Sequence, residues 1–260
     1  MKLFRLALPL LVLLAGCPSK PEVLPVVWPE ADLVVAPDSS GQYRTVSDAV
    51  AAARDGMVIL IKPGVYAEQV RIADVRRVTL LGIDPATTVI DGTDRYTALE
   101  VKTDSNRFAG ISLRGADSHG AWVRDGHQEF DHCLIYGNGD RGIYLSSMAG
   151  NASAYVDHCT ICDNAESGIY AARDSTSTTI TNCIIAFNPR GIVTDQTAGR
   201  MRIEHNTVWN TATDFDRVVA DSSNIARDPV FIARPDTNYH LAPGSPCIGA
   251  AGDGRNQGCY

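Results

Sequence analysis

Positive charge is scarce in this chain. Among 260 residues, 23 Lys and Arg stand against 30 Asp and Glu, a formal net charge of −7. That deficit argues against general affinity for nucleic acid or anionic lipid. It also argues against loose electrostatic capture of acidic polymers, for which only a local basic patch or bound Ca²⁺ would serve. Long apolar runs are missing too. The N-terminal run Leu6 to Leu14 is interrupted by Pro9 and is too short to span a bilayer. Helical periodicity is confined to few stretches, which points away from an α-helical domain. Hydrophobic content is an ordinary 45%, enough for one large domain with a sizeable core.

What is present begins at the N-terminus. Lys2 and Arg5 precede the apolar run, and Leu14-Ala15-Gly16-Cys17 follows it. Small residues before a cut site with Cys directly after it resemble the lipobox of bacterial lipoproteins. The resemblance implies a signal peptide over residues 1–16 and a lipid anchor on Cys17, since several buried acyl chains hold a protein stably to a membrane. The competing reading is an ordinary secretory signal with a Cys near its cut site. Pro18 rather than Asp after Cys17 is compatible with outer-membrane sorting, facing the periplasm or the surface. Pro18, Pro21, Pro25 and Pro29 then make residues 17–33 an extended, semi-rigid tether. The domain proper is expected over residues 34–260.

Five segments of that domain repeat. Thr97–Ser118, His119–Asp140, Arg141–Glu166, Ser167–Pro189 and Arg190–Asp214 are 22, 22, 26, 23 and 25 residues long. Each holds short alternating apolar runs separated by Gly, Asn, Asp and Ser. Strands that cannot bury a face alone must stack on equivalent strands above and below, so each segment reads as one coil of a β-solenoid. The GI-x-L and NCxI-x-x-N phrases over residues 97–214 resemble the right-handed parallel β-helix repeat of secreted bacterial proteins, the pectin lyase-like fold. The expected fold class is therefore all-β, with one short N-terminal capping helix. Residues 47–53 supply that helix, with Ser47 or Asp48 near its start and Gly56 ending it. The order of helix, strand and Lys62-Pro63-Gly64-Val65-Tyr66 resembles the opening of pectin methylesterases, where a helix closes the first coil. Asp228-Pro229-Val230-Phe231 through Cys247-Ile248-Gly249 resembles the closing segment of surface β-helix proteins, so residues 225–260 are expected to cap the other end.

Strand alternation turns the repeats into columns. Leu99, Ala121, Ile143, Ile169 and Ile192 should point inward, as should Val101, Val123, Leu145, Ala171 and Thr194. Between them Glu100, Trp122, Tyr144, Tyr170 and Val193 should point out, beside Lys102, Arg124, Ser146, Ala172 and Asp195. Aromatic rings bind sugars through apolar contact and keep their polar atoms usable. Trp122, Tyr144 and Tyr170 are therefore the candidate carbohydrate-binding residues. Arg124, Lys102 and Asp195 are candidates to bond hydroxyl or carboxylate groups. The competing reading is cross-strand stacking that only stabilises the sheet, or burial under a turn loop.

Other columns read as structure. Asn138, Asn164 and Asn188 recur at a turn. Either His132, His158, Asn182 and His205 or their neighbours Cys133, Cys159, Cys183 and Asn206 should form a second turn ladder. The three cysteines are expected to stack in register rather than pair. An exported chain permits disulfides, and Cys247 with Cys259 is the candidate pair. Cys159 and Cys162 form a C-x-x-C without a second pair, so no metal site is assigned.

Catalytic signatures are missing. The two aspartates, arginine and glutamines of pectin methylesterases are not found in their local motifs, so no catalytic residue is carried over. Arg124, Arg141, Arg173 and Arg190 are available to a lyase, which would also use Ca²⁺ to neutralise a uronate carboxylate, but they form no trusted pattern. Paired carboxylates for glycoside hydrolysis carry no specificity among 30 acidic residues, and Asp131, Asp157 and Glu204 in one outward column read equally as a solvated face. Two functions stay open beside a purely structural role, and the absence of catalytic motifs favours the first. One is a non-catalytic envelope lipoprotein that binds polysaccharide or a surface partner and needs no cofactor. The other is a polysaccharide-active enzyme, either a uronate lyase or epimerase or a glycoside hydrolase.

Overall fold

The structure is a computed structural model describing residues 30–146, 151–172, 177–195 and 201–260. The expected signal peptide over residues 1–16, Cys17 and most of the expected tether lie outside the described residues. Three parallel sheets form the walls of a solenoid of seven coils, each coil visiting sheets A, B and C in turn. Val58–Ile61, Gly64–Ala67 and Val70–Ile72 make the first, and Met201–Glu204, Thr207–Trp209 and Thr213–Asp216 the last. An extra strand, Leu33–Val35, pairs with Val58–Ile61, so ordered structure starts inside the segment expected as tether. Asp32 secures this start, its carboxylate accepting from Val58 N–H at 2.8 Å. Among the described residues no helix is long and apolar enough to cross a membrane.

The helix occupies Val46–Ala52, starting one residue earlier than expected, and Thr45 caps it by accepting from Asp48 N–H at 3.1 Å. Glu68 holds the next two free donors, Val46 N–H at 2.8 Å and Ser47 N–H at 2.9 Å, which a helix start leaves without partners. Val46, Ala49 and Val50 are buried and close the open first coil.

Both turn ladders exist. At the corner leading from sheet B to sheet C, Asn138, Asn164, Asn188 and Asn210 are linked side chain to side chain at 2.9, 3.1 and 2.9 Å. At the corner between sheets A and B, the cysteine column does the equivalent work. Cys133 N–H donates to Cys159 Sγ and Cys159 N–H to Cys183 Sγ, both at 3.4 Å, and Cys183 N–H then donates to Asn206 Oδ1 at 2.9 Å. Burial pushes the Cys133 and Cys159 thiols up, so they stay protonated and donate in turn to backbone carbonyls. The preceding column makes the bend: His132, His158, Asn182 and His205 have φ of 48°, 46°, 56° and 55°. This left-handed region admits Asn and His more readily than most side chains.

Two expectations for the C-terminus are corrected. Residues 226–260 do not plug the last coil; they fold back along the outside of sheet B. That sheet presents Leu134, Tyr136, Cys162, Ile184 and Ala186 outward, and this apolar strip is buried under Phe231, Tyr239, Leu241, Cys247 and Cys259. Asp163 pins the strap, bonding Arg234 Nε at 3.0 Å and Tyr239 hydroxyl at 2.9 Å. The last coil is crossed instead by residues 217–225, where Val218 and Ala220 pack on the core. The disulfide between Cys247 and Cys259 is not formed, and both cysteines are free and buried. They are engaged separately: Cys247 Sγ donates to Thr207 Oγ1 at 3.3 Å, and Cys259 N–H donates to Thr160 Oγ1 at 3.2 Å. Cys159 faces the core and Cys162 the strap, so the C-x-x-C thiols lie on opposite sides of the wall.

Candidate functional site

The outward face of sheet C carries the candidate residues. Its middle row runs Arg71, Glu100, Trp122, Tyr144, Tyr170, Val193 and Asp216 in direct register. Lys102, Arg124, Ser146, Ala172 and Asp195 follow at the strand ends, their N–H groups each bonding the preceding coil. A third row comes from the glycine of each GI-x-L phrase. A Cβ on Gly142 would lie 2.6 Å from both the Gly168 carbonyl oxygen and Ile161 Cγ2. The neighbouring coil thus leaves no room for a side chain at Gly142, and the residue before each of these glycines lies over the sheet. His119 and Arg141 reach the aromatic rings in this way, and Arg190 reaches Asp216.

The rings form one contiguous cluster. Trp122 and Tyr144 stack with centroids 6.0 Å apart and planes 22° from parallel, and Tyr144 meets Tyr170 edge-on at 5.7 Å. His119 packs on Tyr144 at 4.7 Å, and Tyr96 on Trp122 at 5.8 Å. Arg124 lies 4.4 Å over Trp122, while Arg141 lies 4.7 Å over Tyr144 and 4.4 Å over Tyr170. The ring faces are therefore largely engaged by one another and by guanidinium groups, as cross-strand stacking requires. Trp122, Tyr144 and Tyr170 are half-buried, whereas Tyr96 is 56% exposed.

The polar atoms are organised just as closely. Trp122 Nε1–H donates to Ser146 Oγ at 3.1 Å, and the Tyr170 hydroxyl donates to Asp195. Burial and that carboxylate push the Tyr170 phenol up to about 12. Glu100 gathers Arg124 at 2.9 Å, Lys102 at 3.2 Å and Arg71 at 3.5 Å. Burial works to raise the Glu100 carboxyl, but these cations outweigh it and hold it below its usual value. Arg141 pairs with Asp140 at 2.6 Å and Glu166 at 3.5 Å; Arg190 pairs with Glu166 and with Asp216 at 3.1 Å. The structure thus brings all six sequence candidates onto one face. Tyr96, His119, Arg141 and Glu166 belong to it too. The sequence did not place them on this face, Arg141 having been singled out only as a cation available to a lyase, because strand alternation does not set the position of the residue before each glycine or of a loop residue.

His119 is 1% exposed, and burial, with Arg141 nearby, lowers its pKa to about 4. Its unfolded value is 6.5, so between pH 6.5 and 4 the unfolded chain takes up a proton that the folded chain refuses. Stability is therefore expected to fall by about 3 kcal/mol as pH drops through that window. Urea titrations across this range check it: His119→Gln should flatten this part of the profile, and an unchanged slope would remove His119 as the cause.

Around the corner towards sheet A, Lys102, Asp104, Asp125, His127 and Ser153 line a polar pocket of about 510 Å³. His127 Nδ1 lies 3.0 Å from Ser153 Oγ, and Asp104 accepts from His127 N–H at 2.7 Å. Lys102 belongs to both pocket and face. The outward carboxylates of sheet A are all partnered: Asp131 by His132 and Arg107, Asp157 by Asn182, Glu204 by Arg202. Among the described residues no group of three His, Cys, Asp or Glu is placed to hold a metal ion.

Comparison with known proteins places this geometry. The family described as "Right handed beta helix region" matches residues 63–228. Among curated proteins, the chain is 40% identical over 79 residues to "Probable pectinesterase/pectinesterase inhibitor 58" of Arabidopsis thaliana, which covers 28% of this chain and 14% of that protein. It is 44% identical over 68 residues to "Probable pectinesterase 56" of the same plant, covering 24% of each. The matches thus span a quarter or less of these relatives' length. Among solved structures, the pectin methylesterase from Aspergillus niger aligns with TM-score 0.48 and 16% identity over 83% of this chain and 95% of that one. Pectate lyase Pel9A aligns with TM-score 0.49 and 13% identity over 84% and 91%.

Proposed function

The chain belongs to the right-handed β-helix family, and from that premise we propose that it is a lipid-anchored cell-envelope protein that binds polysaccharide or a surface partner along sheet C without catalysis. The observation that carries this reading is the contiguous aromatic cluster on an outward sheet face. Such a face needs no rings to bury a core, yet Tyr96, Trp122, Tyr144 and Tyr170 collect there beside hydrogen-bonding groups. Their exposed edges and the outward Tyr96 offer apolar contact to a sugar ring, and the neighbouring polar side chains offer hydroxyl partners. The names of the pectinesterase relatives support a polysaccharide as the ligand class. Anchoring at the outer membrane through Cys17 rests on the Leu14-Ala15-Gly16-Cys17 motif.

A glycan array tests the reading. Tyr96→Ala removes the exposed ring with little effect on folding, and Tyr96→Ala with Trp122→Ala removes the edge of the cluster. Binding to any glycan captured by the wild type should weaken about tenfold or more in the double variant, the size expected for losing buried aromatic contacts. Unchanged binding in a folded double variant would sink the aromatic face as the site.

The corner pocket favours a second reading, a polysaccharide-active enzyme, because it places Asp104, Asp125, His127 and Ser153 within reach of the same face. Incubation with pectate, alginate and neutral glycans, with and without Ca²⁺, tests it by unsaturated or new reducing ends. Absence of product from every polymer counts against this alternative.

A further inference from the structure

We propose that the first-coil end of the sheet C face is a subsite for one acidic residue of a mixed glycan, in which uncharged sugars follow, an inference that rests on the glycan-binding reading above. Three cations meet one carboxylate there. Arg124 Nη1 lies 2.9 Å and Lys102 Nζ 3.2 Å from Glu100 Oε1, and Arg71 Nε lies 3.5 Å from Glu100 Oε2. One negative charge among three positive ones leaves two in surplus. The nearby carboxylates do not make up the difference. Asp104 and Asp125, around the corner, accept from the His127 and Gly126 N–H groups, and among the described residues neither pairs with a cation of this face. The Arg71 side chain is 57% exposed and that of Arg124 35%, against 11% for Glu100. The carboxylate is thus seated inside, and the guanidinium groups face solvent with donors to spare.

The field that keeps Glu100 ionised despite its burial acts equally on a second carboxylate placed outside it. The position of the surplus fits a sugar. Arg124 lies 4.4 Å over Trp122, and the exposed Tyr96 ring packs on Trp122 at 5.8 Å. An acidic sugar lying against Tyr96 and Trp122 has its apolar side on the rings and its carboxylate beside the Arg124 guanidinium, whose planar fork bonds both carboxylate oxygens. Further along, the pairing changes. Arg141 lies between Asp140 and Glu166, and Arg190 between Glu166 and Asp216. Sugars that continue over Tyr144 and Tyr170 therefore meet, among the described residues, cations already seated on two carboxylates each. Hydroxyl groups bond at the edges of such pairs without breaking them, and a further acidic group finds no surplus to answer it.

Calorimetric titration of the detergent-solubilised full-length protein tests the subsite. The probes are matched pairs of oligosaccharides of glucose, mannose, galactose and xylose, one member neutral and the other carrying a single glucuronic acid residue, with hexagalacturonate beside them. In at least one pair the acidic member should bind about tenfold or more tighter at low salt, the gain from hydrogen bonds to charged groups, and high salt should shrink that gain below about threefold. Hexagalacturonate should stay within about tenfold of that acidic probe, since one carboxylate is read. Equal or weaker binding of the acidic member in every pair, or hexagalacturonate more than about tenfold tighter than the best single-acid probe, would overturn the inference and leave the glycan-binding reading standing. Silence from every saccharide would overturn both. Arg71→Gln and Lys102→Gln each remove one positive charge and leave Glu100 two cationic partners, so folding is not at stake. Each should lower the ratio of acidic to neutral affinity by about threefold or more. An unchanged ratio in both folded variants would remove these cations as the cause.

Discussion

Asn164→Ala is expected to lower the unfolding free energy by about 3–5 kcal/mol, the sum of several orphaned buried polar groups at roughly 1–3 kcal/mol each. Asn164 lies in the middle of the ladder at the corner between sheets B and C. Its Oδ1 accepts from Asn138 Nδ2 at 2.9 Å and from Asn138 N–H at 3.3 Å. Its Nδ2 donates to Ile135 O at 3.3 Å, Cys162 O at 3.2 Å and Asn188 Oδ1 at 3.1 Å. Alanine leaves these partners facing the core without water to replace the bonds. Cys183→Asn is the informative contrast. Asn206 and Asn224 already occupy that column further along, and Cys183 Sγ now meets the backbone carbonyls of Thr181 and Val156, where an amide would donate. Its stability should stay within about 1 kcal/mol of wild type, as for a substitution that keeps buried polar groups satisfied. Urea denaturation followed by circular dichroism reads both. A loss below 1 kcal/mol for Asn164→Ala would show that the ladder is not what holds this corner.

Ending the chain after Ile225 should produce a protein that aggregates, or that melts more than about 10 °C lower and binds a hydrophobic dye, as an uncovered apolar strip of this size predicts. Leu134, Tyr136, Cys162, Ile184 and Ala186 point away from the solenoid interior, and the strap alone removes them from water. Asp163→Asn weakens the same contact more gently. It takes the charge from a carboxylate that bonds both Arg234 and Tyr239. Residues 226–260 should then be cut by protease before the coils are. A truncated chain that melts like the full one, without dye binding, would mean that the strip tolerates water and that the strap serves some other purpose.

Much of the solenoid was legible because a stacked coil repeats one set of local demands. The inward column Leu99, Ala121, Ile143, Ile169 and Ile192 follows from strand alternation, and the register pairs these residues directly. The Asn138, Asn164 and Asn188 column was readable for the same reason. Where two columns competed, alternation could not choose. His132 and His158 make the left-handed bend while Cys133 and Cys159 carry the ladder, and that division depends on backbone dihedrals. The aromatic row was equally legible, but its chemistry was not. Arg141 over two tyrosines, and Glu100 beneath Arg71 and Arg124, are contacts between coils that only the stacked structure reveals.

The sequence by itself determined the class of fold, the helix at its start and the face on which Trp122, Tyr144 and Tyr170 stand, because period and alternation are properties of single segments. The tertiary structure decided the rest: the C-terminal strap on sheet B instead of an end plug, two free buried cysteines instead of a disulfide, and a face on which three cations meet at the one carboxylate of Glu100. Those outcomes depend on which distant surfaces meet. A segment's own pattern cannot say which apolar strip will need covering, nor which charge will find its partner one coil away.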